Sequence, residues 1–344
     1  MKAAVIAEGH RFDVKEVPVP EIGSQEVLVQ VKAVGICGSD VGGFFAEVPK
    51  SRVPGLIMGH EGSGVVAKVG SEVTHVAVGD RVAIDPQIYC GTCYACRHGW
   101  TSICESKKVT GSSLRGFVNG LFAEYAVING YQAFKIPETL SFISAAMIEP
   151  VSNAVHVANR ISPSLGDFVV VIGAGALGLS IIQTLKLKGV GKIVVLDISS
   201  FRLERAKELG AHAVINTAQE DAAALIKEMT GGVGSDYVVE SAGLGATYRM
   251  AISLVRKRGT IVAFGALVDQ IEIDLLPILH KEITIVGSTG ANAPEVEYAI
   301  ELLDRKAIVV DPIVTHTFGL DDAEKAMYLF KDPKATPIKV MIEP

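Results

Sequence analysis

The feature that most restricts this chain is a short stretch near its middle. Residues 168–172 (FVVVI) form an uninterrupted apolar run, and Gly173-Ala174-Gly175-Ala176-Leu177-Gly178 follows at once. Such a run reads as a strand covered on both faces, as in a parallel sheet between helices. Residues 176–188 then repeat apolar side chains at helical spacing, with Leu177, Ile181 and Leu185 on one face. A Gly-x-Gly-x-x-Gly between strand and helix suits a dinucleotide. Gly173 allows the tight turn, Gly175 lets the backbone approach a pyrophosphate, and Gly178 lets helix and sheet pack closely. The helix start offers free N–H groups and a positive dipole end to the phosphates. A glycine turn alone is weak evidence, but here the strand, the helix and an acid occur together. The acid is Asp197, which follows the next apolar run, residues 193–196 (IVVL). Its carboxylate can accept hydrogen bonds from both ribose hydroxyls. That favours NAD, because the extra phosphate of NADP would meet the Asp197 charge. Arg202 could bind such a phosphate or cover the adenine, and both readings stay open.

The alternation continues. Helix-like residues 200–209 end at Gly210, a suitable C-terminal cap. Strand-like 213–215, 237–239, 260–264 and 282–286 alternate with helix-like 222–229 and 246–255. This pattern implies a doubly wound parallel sheet, hence an α/β fold. The part before residue 145 differs. Residues 26–34 (EVLVQVKAV) alternate apolar and polar side chains as a half-buried strand does, and 62–69 and 80–84 are further candidates. This part reads as a mainly antiparallel β domain. With 344 residues the chain exceeds the usual size of one core, so two domains are expected. We draw them as residues 1–147 and 148–288. Helices near 294–303 and 321–330 and a strand near 338–342 would lie in a return segment, 289–344, that completes the first.

Net charge is −6, so the basic face needed by a nucleic-acid or membrane-surface partner is not expected. Polar residues such as Glu8, His10 and Arg11 arrive too early for a signal-peptide apolar region, and no apolar run approaches a bilayer span. A soluble, cytoplasmic protein with reduced cysteines is expected.

Four of the five cysteines crowd together. Cys90-x-x-Cys93-x-x-Cys96, then seven residues, then Cys104, can bring four thiolates to one ion. Zinc favours four soft ligands in a closed tetrahedron, and a closed site is structural. Two separated Cys-x-x-Cys pairs with basic flanks, as in a nucleic-acid zinc ribbon, do not occur. The fifth cysteine, Cys37, lies in Gly35-Ile36-Cys37-Gly38-Ser39-Asp40; His60 and Glu61 lie between Gly59 and Gly62; Glu149 precedes Pro150. One thiolate, one imidazole and one or two carboxylates suit a zinc ion with an exchangeable position. Each residue alone has a plainer reading, as core cysteine, loop histidine or capping acid, and spacing does not pair them.

The order of these motifs, with Phe122-Ala123-Glu124-Tyr125 between them, resembles the zinc-dependent medium-chain dehydrogenases along the whole chain. Within them it is similar to the branch of polyol, polyol-phosphate and threonine dehydrogenases. The resemblance implies a GroES-like catalytic domain beside a Rossmann domain, with two zinc ions and NAD. It implies that Cys37 and His60 bind the catalytic zinc, with Glu61 and Glu149 as direct ligands or as exchanging ones. Ser39 falls where the family passes the alcohol proton outward. Leu177, Asp197 and Arg202 match cofactor contacts, and Phe264-Gly265-Ala266 and Ser288-Thr289 match the two stretches near the nicotinamide. Homotetramers or homodimers are common in this family. Gly42 stands where a histidine often follows the Gly-Ser-Asp motif, which leaves water or the cofactor ribose for the relay. Ser288-Thr289 follow Gly287 where sorbitol-type pockets carry Arg-Tyr. Asn153-Ala154-Val155-His156 is worded as in threonine dehydrogenases, whereas Gly111-Ser112 and Arg115-Gly116 resemble polyol-phosphate enzymes; Arg115 could meet a phosphate or be a solvated loop residue. The expected activity is NAD-dependent oxidation of a secondary alcohol on a polyol or polyol phosphate. The alternatives are L-threonine 3-dehydrogenase and a non-catalytic NAD-binding sensor.

Overall fold

The structure is a computed structural model that describes residues 1–266, 270–332 and 334–344. The strand Phe168–Ile172 is buried at every position. It pairs in parallel with Lys192–Asp197 on one side and Ser235–Glu240 on the other. Ala213–Asn216 continues the first side; Val255–Ala263 and Thr284–Gly287 continue the second, giving a six-stranded parallel sheet. Chain order reverses at Phe168–Ile172. Connections on its two sides therefore run over opposite faces, and a crevice opens at the carboxyl ends of the strands. Val170, Val194 and Val238 are fully buried, and each contributes about 1.5–3 kcal/mol by leaving water.

The other sheet is built on Glu26–Ile36. The strand runs two residues beyond the expected end, with its last four residues all buried, and so delivers the chain directly to Cys37. It pairs antiparallel with Glu61–Val69, Tyr125–Asn129 and Lys339–Glu343. Arg81–Ile84 and Ala133–Lys135 extend one edge, and Val314–Gly319 runs parallel to Lys339–Glu343 at the other. Its inward residues, among them Val27, Val29 and Val31, pack with Leu121, Phe122, Val340 and Ile342.

Contacts divide the chain into two units. One comprises Met1–Ser152, Gly290–Lys306 and Val310–Pro344; the other comprises Asn153–Thr289 and Ala307–Val309. The division falls inside the helix Ile148–Asn159. The clearest differences from expectation lie in two elements. The strand expected at 260–264 begins at Val255, directly after the helix Gly245–Leu254, and ends at Ala263. A register shift against Ser235 and Tyr237, with Arg258 at φ 55°, hides its first half from a period-two reading. The helix expected at 321–330 is α-helical only over Ala323–Tyr328, because its ends tighten into 3-10 turns. No helix among the described residues is long and apolar enough to cross a membrane.

Candidate active site

The first candidate centre forms where two strands of the mainly antiparallel sheet meet. Cys37 follows the strand Glu26–Ile36 and is the N-cap of the helix Gly38–Phe44; His60 precedes Glu61–Val69. Gly35 and Glu61 are direct cross-strand partners. A Cβ on Gly35 would overlap the Glu61 carboxylate, so glycine there makes the slot into which that side chain folds. The ligand atoms of Cys37, His60 and Glu61 all lie within 4.8 Å of one another. A thiol, an imidazole and a carboxylate, two of them buried, form a donor set that zinc accepts. Glu149, in the first turn of its helix, is not one of this trio. Ser39 is exposed, two residues past Cys37.

Around the trio lies a second layer of charge. Asp40 is fully buried, and its Oδ2 accepts from the Cys37 backbone N–H at 3.1 Å. Its Oδ1 accepts from Arg52 Nε at 3.0 Å and Nη2 at 2.7 Å. The same oxygen lies 3.2 Å from His60 Nδ1, off the line of a hydrogen bond. Burial works against the Asp40 charge, but His60 and Arg52 hold its carboxyl well below the usual carboxylate range. Burial likewise opposes a charged His60, yet Asp40 and then Cys37 raise its pKa well above the ordinary value. A carboxylate on one ring nitrogen orients a metal-binding histidine and raises its basicity. Lys339 forms a buried ion pair with Glu61 Oε2 and donates to the Ile36 carbonyl at 3.1 Å. Burial disfavours the Lys339 charge, but Glu61 and Cys37 outweigh it and raise the pKa.

The four-cysteine loop forms a second centre in the same unit. Sγ of Cys104 lies 3.9 Å from that of Cys93 and 3.6 Å from that of Cys90. A tetrahedral site with Zn–S near 2.3 Å needs sulfurs about 3.8 Å apart. Backbone N–H groups of Thr92 and Cys93 pull the Cys90 thiol down to about 6. Burial pushes Cys96 up to about 12, a cost that a divalent cation removes. The loop is a structural zinc site, and Cys37, His60 and Glu61 form the catalytic one.

The dinucleotide motif lies in the other unit. Gly173, at φ 101°, turns the chain out of its strand, and Gly175 is the N-cap of the helix Ala176–Leu187. No side chain caps that helix, so its first N–H groups remain for phosphate. A Cβ on Gly178 would overlap the Gly173 carbonyl oxygen. Leu177 occupies the first turn. Asp197 is the last residue of its strand; Oδ2 accepts from Ala174 N–H at 2.7 Å and Oδ1 from Ser199 N–H at 2.9 Å. The carboxylate is thus fixed to the glycine turn. Arg202 N–H closes the Ser199 cap at 3.4 Å. Phe264 and Gly265 N–H both donate to the Glu240 carbonyl, and Ala266 is exposed beyond them. Ser288 N–H donates to Ala263, while its Oγ is buried without a partner among the described residues. Thr289 is exposed beside it. A buried hydroxyl of this kind, at the carboxyl ends of the strands, fits a polar cofactor. The sequence-derived cofactor residues therefore belong to one unit and the sequence-derived zinc ligands to the other.

Arg52 and Lys339 were missed from sequence. Arg52 gives no signal. Lys339 does: it interrupts an otherwise apolar strand, Ile338-Lys339-Val340-Met341-Ile342.

Residues 23–138 match the alcohol dehydrogenase GroES-like domain, and residues 176–305 match the zinc-binding dehydrogenase family. The chain is 36% identical to sorbitol dehydrogenase of Bacillus subtilis (strain 168), covering 100% of this chain and 97% of that one. It is 35% identical to L-threonine 3-dehydrogenase of Pyrococcus horikoshii, covering 97% and 96%. Among solved structures, the short chain alcohol dehydrogenase of Escherichia coli CFT073 complexed with cofactor NADH superposes with a TM-score of 0.91 at 33% identity, covering 100% and 99%. Likeness over the full length, together with the two zinc-ligand clusters, makes this chain a member of the zinc-dependent medium-chain alcohol dehydrogenases, oxidoreductases that act on a CH–OH group with NAD(P).

Proposed function

We propose that this dehydrogenase oxidises a secondary alcohol of a polyol or polyol phosphate with NAD. The observation that carries the reading is the trio Cys37, His60 and Glu61, a donor set with one thiolate and a carboxylate. Full-length similarity to a sorbitol dehydrogenase supports the polyol substrate. Bound there, zinc supplies Lewis acidity to an alcohol oxygen, and NAD supplies the hydride acceptor. The protein's part is positioning and proton handling. Asp40 sets its charge beside the His60 ring, and Arg52 keeps Asp40 charged. Glu149 joins the site as a further ligand or as a partner for substrate. Ser39, exposed at the helix start, relays the alcohol proton, accepting it while passing its own to water or the cofactor ribose. Asp197, already locked to Ala174, presents its carboxylate to the adenosine ribose and disfavours a phosphate there. Arg202 covers the adenine; the 264–266 and 288–289 stretches, with the Ser288 hydroxyl, hold the nicotinamide.

The same reading makes the protein a cytoplasmic homotetramer or homodimer. The edge strand Thr284–Gly287 leaves Ile285 exposed, and Leu275, Leu276 and Leu279 are exposed as well; unpaired edges and apolar patches are commonly covered by another subunit.

A second reading, threonine 3-dehydrogenase, is favoured by the 35% identity to such an enzyme. NADH formation with polyols, polyol phosphates, simple secondary alcohols and L-threonine, with and without a zinc chelator, separates the two. Chelator-sensitive turnover of a polyol or its phosphate is expected. Turnover of threonine alone would transfer the protein to the second reading.

A further inference from the structure

The Glu61 carboxylate has two claims on it. It belongs to the trio of ligand atoms, and its Oε2 is bound by the Lys339 ammonium. Both side chains are almost sealed from water, at 2% exposure for Glu61 and 3% for Lys339. The lysine is not free to follow the glutamate. Its strand, Lys339–Glu343, is bonded to Glu26–Ile36, with Val340 opposite Ile36 and Met341 opposite Gly35. Its Nζ is also tied to the carbonyl of Ile36, the residue before Cys37. Cys37 and His60 have no such competing cation on their ligand atoms among the described ion pairs; the partner near His60 is the carboxylate of Asp40. Two ligands are therefore committed, and one is shared with a fixed positive charge.

We propose that Lys339 is a positioning residue that withholds the Glu61 carboxylate from the catalytic metal and so keeps a ligand position open to substrate. This rests on the zinc assignment to Cys37, His60 and Glu61. The physical ground is competition. An ammonium and a dication compete for the same carboxylate, and in a water-poor site neither claim is screened. Removing the ammonium leaves Glu61 buried without a counterion except the metal, which it then grips. Coordination closes and the metal leaves more slowly.

The test is release of the metal to an excess of a coloured chelator, measured on the whole protein loaded with zinc and, in parallel, with cobalt. The four-cysteine site supplies an internal control, since its cobalt spectrum carries four thiolates and that of the Cys37 site only one. Lys339→Met should slow release from the Cys37 site about tenfold, the scale of changes to residues behind a metal ligand. Its cobalt d–d bands should shift towards a filled coordination sphere. Lys339→Arg, which keeps the cation, should stay near the wild-type rate. Adding Glu61→Gln to Lys339→Met should abolish the slowing. If Lys339→Met does not hold the four-cysteine metal, and so is not folded, Lys339→Gln removes the same charge and must show the same slowing. Release as fast as wild type, with the four-cysteine metal in place, overturns the role of Lys339 alone. A wild type that binds only one metal per chain overturns the site and the role together.

Discussion

Asp85 should make the protein lose stability as pH rises from about 4 through 6, and Asp85→Asn should remove that loss. The side chain is buried, and burial raises its pKa from 3.8 to about 6. Gln87 opposes the shift, donating to Oδ1 from N at 3.1 Å and from Nε2 at 3.2 Å, and Lys107 opposes it by charge. A raised carboxyl pKa means that the folded state binds the proton more tightly than the unfolded one. The stabilisation is fully present below pH 4 and is lost as pH rises through 6. Raising the carboxyl from 3.8 to about 6 corresponds to about 3 kcal/mol in all. Integrated between pH 5 and pH 8, about 1–2 kcal/mol of it is lost. Asparagine keeps the Oδ1 acceptor for both Gln87 donors and has no charge to bury. The melting temperature of Asp85→Asn minus that of wild type should therefore rise by about 3–6 °C from pH 5 to pH 8 for a unit of this size. Differential scanning calorimetry of both proteins across that range measures it, and the difference cancels effects shared by both, such as metal loss in acid. A difference that stays constant with pH, or falls, refutes the argument from burial.

Cys37→Ser should abolish alcohol turnover and lower bound zinc from two ions to one, while titration of intrinsic fluorescence shows NAD binding intact. Gly178→Ala should weaken NAD at least tenfold, or about 1.4 kcal/mol, because the new methyl group meets the Gly173 carbonyl; an unchanged dissociation constant would remove the packing argument. Asp197→Ala should lower kcat/KM with NAD by more than it lowers that with NADP, since the carboxylate both meets ribose and anchors Ala174. Steady-state kinetics with the two cofactors check this, and equal losses would confine Asp197 to a backbone role.

Much of this molecule could be read before its structure. Strands such as Phe168–Ile172 carry their burial in composition, because a strand covered on both faces has no polar position to blur the pattern. The cysteine loop is local, with all four thiols inside fifteen residues. What could not be read is long-range pairing. Glu61 and Lys339 are separated by 278 positions, and only strand register brings them together. Arg52 is an ordinary arginine in a Ser-Arg-Val loop until Asp40 is seen to need a buried partner. Glu149 was legible only through the resemblance, since nothing local to Ile148-Glu149-Pro150 marks a ligand.

The wide separation of Glu61 from Lys339 also bears on how the protein is made. A ribosome synthesises Glu26–Ile36 and Glu61–Val69 early, but their neighbour Lys339–Glu343 emerges only after all of Asn153–Thr289. The parallel sheet of that intervening unit can settle while synthesis continues, since domains fold as units as they appear. The earlier strands must wait with an unpaired edge, exposed to wrong partners. Any metal taken up by Cys37 and His60 in that interval meets Glu61 with no lysine to restrain it. On the proposed role of Lys339, such a chain would hold metal more firmly than the finished protein until the last strand joins this sheet.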